Sequence, residues 1–348
     1  MSDEKNSNQD TSASNEAQNK NKITSYWVTL ISVLLSLLVL TGTYYLQKAS
    51  YYKSLENSIN RFESLTRESE KNMLYRQNSY EQALAGGVGL FAASDYVSRG
   101  DWKDYSNAIN VKENFPGIFG IGYIERVEHK NLNNFVKFMK EKEGFKDYKI
   151  YPTIDTPTLN IVKFIEPYEF NAKVLGINIM FEQNRVEAAK LAIESGKATI
   201  TNRIMLFQDK NKKPGFMLFL PIYEKGKPIN TVDERVKFFK GFVYAPFVGE
   251  NFLYDLANLQ GIYYDIAIYD GKEENDEALI YSSHSKPKSI LSKFSVKRVV
   301  SIKQREWTIV WKSTPKFEYF IDTKEPQLII IIGVLCSIAI FLFSFNIL

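Results

Sequence analysis

Two long stretches of this chain hold no charged residue, and they limit the fold more than any other feature. The first covers 23–47, with WVTLISVLLSLLVLTGTYYL at its core, and the second covers 326–348, with QLIIIIGVLCSIAIFLFSF at its centre. A helix needs about 20 mostly apolar residues to cross the hydrocarbon core of a bilayer, and both runs meet that length. Tyr26, Trp27, Tyr44 and Tyr45 lie near the ends of the first run, where amphipathic rings favour the membrane interface. A cleaved signal peptide fits the first run less well, because the run exceeds the usual h-region and follows a polar tail. The expectation is a double-pass protein of the inner (plasma) membrane, with its working part at 48–325.

Residues 1–22 are rich in Asn, Ser, Gln and Lys and have no apolar pattern, so they are expected to form a disordered cytoplasmic tail. Positive-inside counting nearly ties, since Lys20 and Lys22 precede the first span and Lys48 and Lys53 follow it. Long domains cross the membrane largely regardless of charge, and this favours an extracytoplasmic central domain. The end of the chain within an apolar run at Leu348 leaves two readings, the sensory part of a longer protein or a protein that signals through a partner within the membrane.

Composition removes several function classes. Cys336 is the single cysteine, so no intramolecular disulfide forms. His129 and His284 are isolated from other ligand-type residues, which argues against a zinc site or a histidine-centred triad. The net charge of +4 is spread along the chain rather than gathered into the basic stripe of a nucleic-acid binder. Neither a Gly-x-Ser-x-Gly elbow nor a His-Glu-x-x-His site occurs. No enzyme activity, no metal and no cofactor are expected.

The stretch after the first span reads as a continuing helix, a stalk over 48–84. Leu55, Ile59, Phe62, Thr66, Ser69, Met73, Arg76 and Tyr80 recur at heptad spacing. Three of the eight are polar, and two readings stand: the seam of a parallel homodimer, or a helix packed on its own domain. Beyond residue 110 the pattern alternates, with strands predicted at 118–127, 160–167, 198–207, 215–223, 238–247, 263–270, 296–302 and 306–312. Helices are predicted at 101–110, 130–142, 184–195 and 250–259. This mixture implies an α+β domain built on antiparallel sheet.

The segment IESGKATIT (193–201) has the Gly-Lys pair of a phosphate loop, but its elements run in the wrong order. Asn184 and Glu187 have capping-box spacing, and Ala188, Ala189, Leu191 and Ala192 favour helix. Gly196 suits a left-handed helix terminus, with Lys197 beside the negative helix end. The pair therefore closes a helix and a strand follows, whereas a phosphate loop opens a helix. On that strand Thr199 and Thr201 share a face, as do Phe216, Leu218 and Leu220 on theirs.

Around this corner the chain resembles the CHASE domain, the extracytoplasmic sensory module of cytokinin-receptor-like histidine kinases and bacterial signalling proteins. The stretches are GGVGLFAASDYVSRGDW (86–102), FPGIFGIGYIERV (115–127), FIEPYEFNAKVLGINI (164–179), NRVEAAKLAIESGKATIT (184–201), PGFMLFLPIYEKGKP (214–228) and ERVKFFKGFVYAPF (234–247). The resemblance implies two transmembrane helices flanking a stalk helix and two PAS-like lobes with antiparallel sheets. It assigns 85–248 to a membrane-distal ligand-binding lobe and 249–325 to a membrane-proximal lobe. It also implies that Glu166, Asn171, Thr199, Thr201, Phe216, Leu218 and Tyr244 line a small-molecule pocket, narrowed or reshaped by the rings at 242–244. The partners expected are a small molecule of unknown identity, the membrane, a second copy through the stalk, and a signalling partner in the cytoplasm or membrane. The alternative is a membrane-anchored protein-binding or assembly factor without a small-molecule ligand.

Overall fold

The computed structural model describes residues 3–206, 212–253, 262–283, 292–319 and 324–345. It mixes helix with antiparallel sheet and begins with one very long helix, α1 (Asp3–Ala93). The first proline in the chain is Pro116, so nothing before it removes a helical hydrogen bond. The polar tail, expected to be disordered over 1–22, is helical from Asp3 onward. Extending an existing helix needs no new nucleus, and the apolar run supplies that nucleus.

The chain forms two compact units, Met1–Arg61 with Tyr319–Leu348, and Phe62–Glu318. In the first, α1 packs on α9 (Lys324–Phe345). A Cβ at Gly333 would lie 2.0 Å from Thr43 Oγ1, and Ser36 Oγ donates to the Ser337 carbonyl at 3.3 Å. Small residues allow this backbone approach. Leu34, Leu38, Leu335 and Leu342 point outward and are exposed. Both apolar helices are long enough to cross a membrane.

The second unit holds two antiparallel sheets. β1 (Ile121–Glu128), β2 (Thr158–Glu166), β3 (Thr199–Ile200), β5 (Pro214–Tyr223) and β6 (Phe239–Val248) run in the order β2-β1-β6-β5-β3, and β4 (Ile204–Met205) pairs with β5. The second sheet has the order β8-β7-β10-β9, from β7 (Tyr264–Asp270), β8 (Leu279–Ser282), β9 (Ser295–Ile302) and β10 (Arg305–Ser313). Around them lie α2 (Arg99–Ala108), α3 (Val111–Asn114), α4 (Leu132–Glu141), α5 (Tyr168–Asn171), α6 (Gln183–Ser195), α7 (Val232–Phe238) and α8 (Pro315–Tyr319).

The stalk seam meets its own chain. Phe62 packs against Phe294 and Phe317, with ring centroids 6.0 and 5.2 Å apart. Ser69 Oγ accepts from Trp311 Nε1 at 3.1 Å, and Arg298 reaches Thr66 at 2.9 Å and Glu70 at 3.1 Å. Arg76 donates to the Phe252 carbonyl at 2.7 Å, and Tyr80 packs among Phe115, Phe247 and Phe252. From Phe62 to Tyr80 the seam side chains thus pack on the chain's own domain, as the second of the two readings has it. Of the three polar seam positions that weaken a coiled coil, Thr66 and Ser69 are matched to Arg298 and Trp311 of the second sheet, and Arg76 to the Phe252 carbonyl.

Most predicted strands stand within a few residues of their bounds, but 198–207 does not form one strand. It breaks into β3 and β4 because Arg203 is captured elsewhere: its N–H donates to Asp270 Oδ2 at 2.7 Å and its Nε to the Leu279 carbonyl at 2.9 Å. Residues 249–253 are helical, and the rest of the helix predicted at 250–259 lies outside the described residues, as does His284. α7 and β8 had not been predicted. A capping box marks α7, with Thr231 and Glu234 each bonding the other's backbone N–H, a spacing readable in the sequence.

The start of α6 also differs. Glu182, not Asn184, is the cap, accepting the Asn184 N–H at 3.1 Å. Asn184 and Glu187 do not form the expected box because the following loop takes both side chains: Asn184 donates to the Arg203 carbonyl at 3.1 Å, and Asn202 donates to Asn184 and Glu187. Gly196 does close the helix, at φ +71°. The last-turn carbonyls are held by Tyr223 at 2.8 Å and Arg235 at 2.7 Å, whereas Lys197 is exposed.

Candidate functional site

The pleat of the first sheet sorts its residues onto two faces. Tyr123 is paired with Phe164 and Val243, and Gly122 with Tyr244. Tyr123, Phe164 and Val243 therefore share the face covered by α1, where Phe91 lies 4.2 Å from the Tyr123 ring and Gly87 sits against Val243. Tyr244 is on the opposite face, which α6 covers.

The α6 face holds the more unusual interior. Arg185 extends from α6 at the helical spacing of Ala188, Ala189 and Ala192, all buried. These alanines let the helix lie close to the sheet, and the longer arginine runs between the two. Arg185 is 4% exposed, with its Nε 3.5 Å from Glu182 and its charge 5.2 Å from the Phe181 ring. With Tyr244, Met217, Val162 and Leu206 it borders a void of about 20 Å³, enough for about one water molecule. Arg185 and Leu206 also line an adjoining groove of about 540 Å³ with Glu182 and Arg203. That volume lies in the range of small-molecule sites.

A short segment closes this face from the β2 side. Val162 and residues 176–177 exchange hydrogen bonds of 2.9 Å, and the Asn178 N–H donates to the Tyr151 carbonyl at 2.9 Å. Gly176, at φ +79°, lies where a Cβ would be 1.9 Å from the Lys149 carbonyl oxygen, so no other residue fits without moving the chain. The segment places Asn178, fully buried, beside Asn160 of β2, whose N–H donates to Asn178 Oδ1 at 3.3 Å. Tyr244 Oη, Asn160 Oδ1 and Asn178 Nδ2 are buried and have no hydrogen-bond partner among the described residues. Each such group costs about 1–3 kcal/mol when left unmade. Burial raises the Tyr244 hydroxyl well above the ordinary tyrosine value, so it stays protonated. Burial also lowers Arg185, an effect that the Glu182 carboxylate opposes, and its guanidinium remains charged.

The structure places the seven residues expected to line the pocket in different environments. Tyr244 belongs to the α6-face interior. Phe216 and Leu218 are on the opposite face of β5, where Phe216 stacks on Phe247 at 4.9 Å and meets Trp307 at 5.0 Å. Thr201 continues the sheet ladder where the strand breaks: its N–H donates to the Met217 carbonyl at 2.9 Å, and its Oγ1 accepts the Met217 N–H at 3.0 Å. Thr199 Oγ1 accepts from Gln304 Nε2 at 2.7 Å, and Ser195 Oγ accepts from the same nitrogen at 3.0 Å. The former phosphate-loop lookalike is thus the joint between the two sheets.

Glu166 pairs with Ile121 and so lies on the face away from Tyr244. Its carboxylate accepts the Tyr168 N–H at 2.9 Å, and burial raises its pKa above the ordinary value while the Tyr168 bond and Arg99 oppose the rise. Asn171 donates to the Phe119 and Pro167 carbonyls at 2.7 and 3.0 Å, holding the turn after β2. Arg185, Asn160 and Asn178 escaped the sequence reading. A charged residue at the helical spacing of small buried ones was the available sign for Arg185; the two asparagines carry none.

Among the described residues no group of three His, Cys, Asp or Glu could hold a metal ion. His129 contacts the Thr156 carbonyl through Nδ1 at 3.1 Å and is exposed.

The model of the CHASE domain matches residues 95–281. No curated protein matches the chain. Among solved structures, the chain is similar to the periplasmic sensory domain of the Campylobacter jejuni chemoreceptor Tlp1, at 11% identity and TM-score 0.45, over 77% of this chain and 98% of that one. It is similar to an extracellular ligand binding receptor from Desulfohalobium retbaense DSM5692 at 9% identity and TM-score 0.43, over 72% of this chain but only 40% of that receptor's length. A third is Methyl-accepting Chemotaxis protein X, at 13% identity and TM-score 0.31, with 73% of this chain and 100% of that one covered.

Proposed function

The chain belongs to the CHASE domain family, and from that premise we propose that it is a membrane-anchored receptor whose sensor binds a small polar molecule on the α6 face. The family is one of extracytoplasmic sensory modules, so the chain carries a sensor domain for signal transduction. The finer reading has α1 and α9 as two membrane spans, with 85–248 and 249–325 as PAS-like lobes between them. The exposed leucines of both helices support it, because an apolar surface of that extent needs lipid or protein around it. The output of this reading is that of a histidine kinase or a cyclic-nucleotide signalling protein.

The observation that carries the ligand site is the buried, unpartnered Tyr244 hydroxyl on the void that Arg185 borders, with further unpartnered polar atoms on Asn160 and Asn178 in the same interior. Native interiors leave few such groups unpaired, and a polar ligand would complete them. Its binding shifts the protein only by its differential affinity for two states. The test is a thermal-shift screen of the full chain in detergent against small metabolites. A ligand at 100 times its Kd adds about 2.7 kcal/mol of stability. Tyr244→Phe should weaken its binding about tenfold while raising unliganded stability by about 1–3 kcal/mol, since the buried hydroxyl removed has no partner among the described residues. A hit that Tyr244→Phe leaves intact sinks the assignment. One observation favours a protein-binding role instead: Ile229, just before α7, and Val232 and Val236 on it are exposed at 41%, 47% and 45%. Capture of a stable protein partner that Val236→Asp abolishes, with no metabolite hit, would decide for that role.

A further inference from the structure

The opposite face of the same sheet carries a second polar interior. In β2, Lys163 is an extra residue: Tyr123 pairs with Phe164 and Ile124 with Val162, so the register skips it. Such a bulge puts two consecutive residues on one face. Lys163 thereby joins Phe164 and Tyr123 on the α1 face, where its side chain is 7% exposed and its Nζ lies 2.7 Å from Glu125 Oε2. Four rings surround the ammonium, those of Phe164 at 5.1 Å, Tyr96 at 5.4 Å, Phe138 at 5.5 Å and Tyr123 at 5.9 Å. The pair faces a cavity of about 530 Å³ between the end of α1, β1 and α4.

The cavity's charge is balanced and its hydrogen bonding is incomplete. Tyr123 is 1% exposed, and its hydroxyl, at the cavity wall, has no partner among the described residues. The Tyr96 hydroxyl, by contrast, is bonded to Glu143. Lys163 has three donors and Glu125 two acceptor oxygens, of which one pair is used. A simple anion entering here would meet Glu125, and a simple cation would meet Lys163. A molecule bearing both charges meets neither penalty, and aromatic faces favour its ammonium. We infer that this cavity is a second ligand site, distinct from the α6-face site, and that it takes a small zwitterion of the α-amino-acid type. Its carboxylate lies on Lys163 and the Tyr123 hydroxyl, its ammonium on Glu125 within the rings. Phe91 and Asp95 line the cavity, so such a ligand touches the end of α1 directly.

The test titrates the full chain in lipid nanodiscs with each standard α-amino acid at millimolar concentration, by calorimetry. At least one should bind, and its amine lacking the carboxylate and its acid lacking the amine should each bind at least about tenfold more weakly. Tyr123→Phe should weaken binding about tenfold, Lys163→Met should abolish it, and Arg185→Met should leave it unchanged. Tyr123→Phe removes only an unpaired hydroxyl, so it decides the matter if Lys163→Met fails to fold. Absence of binding by every amino acid overturns the proposal. So does binding that survives Tyr123→Phe, or binding lost in Arg185→Met alone, which would assign the ligand to the α6 face and leave the reading of that site intact.

Discussion

The two sheets of the folded unit rest on the same helix yet fill their interiors differently. The second sheet turns Trp311 and Ile309 toward α1, and the Trp311 indole N–H is matched by Ser69; Phe294, Phe317 and Phe62 close the packing at its edge. Trp307 Nε1, which has no partner among the described residues, departs from this pattern. The first sheet buries Arg185, Asn160, Asn178 and Lys163 and adjoins cavities on both faces. A well-packed aromatic interior resists deformation, whereas polar groups left unpaired cost stability and supply recognition. The difference separates a sheet that grips the helix from a sheet that reads a ligand.

The largest expected effect tests the gripping sheet. Trp311→Ala should cost about 3–5 kcal/mol in denaturant unfolding of the full chain, and a loss below about 1 kcal/mol would break the contrast. Thr201→Val probes the reading sheet, where the hydroxyl serves the ladder rather than the cavity. It removes the acceptor of the buried Met217 N–H and should cost about 1–2 kcal/mol without changing ligand affinity in the thermal-shift assay. The smallest effect concerns Glu166. Its raised pKa means that the folded state holds the proton more tightly than the unfolded state, so stability falls as pH rises above the ordinary value of 4.5 through the raised one. Glu166→Gln should remove that fall, giving a slightly higher melting temperature at neutral pH and none of the gain below pH 4.5. An equal advantage at both pH values would show that charge is not the cause.

The architecture was legible wherever one local signal fixed one local outcome. The apolar runs, the apolar strands β5 and β6 and the Gly196 terminus depend on neighbours in sequence, and the structure repeats them. The candidate site depended on which face each residue meets across strands. Thr201 and Phe216 had the right chemistry for a pocket wall, but one went to the ladder and the other to the aromatic packing beside Trp307. Arg185 and Lys163 went unnoticed because charged residues read as solvated. Their burial arises from a helix of alanines in one case and a skipped register in the other. The stalk seam shows the converse, since its polar members look like flaws in a dimer and are contacts to Arg298, Trp311 and the Phe252 carbonyl.

The bulge at Lys163 gives the site an arithmetic basis. A strand's side chains change sides with every residue, so deleting Lys163 itself would leave Phe164 and Val162 on their own faces in a regular ladder, whereas deleting any other residue of β2 while keeping the bulge would send a whole arm of the strand to the wrong side. Scanning the strand by substitution leaves that count untouched and reports only on individual groups. Only insertions and deletions address the count itself, so the two kinds of library should give different maps of the same ten-ångström neighbourhood (roughly the span of three strand residues).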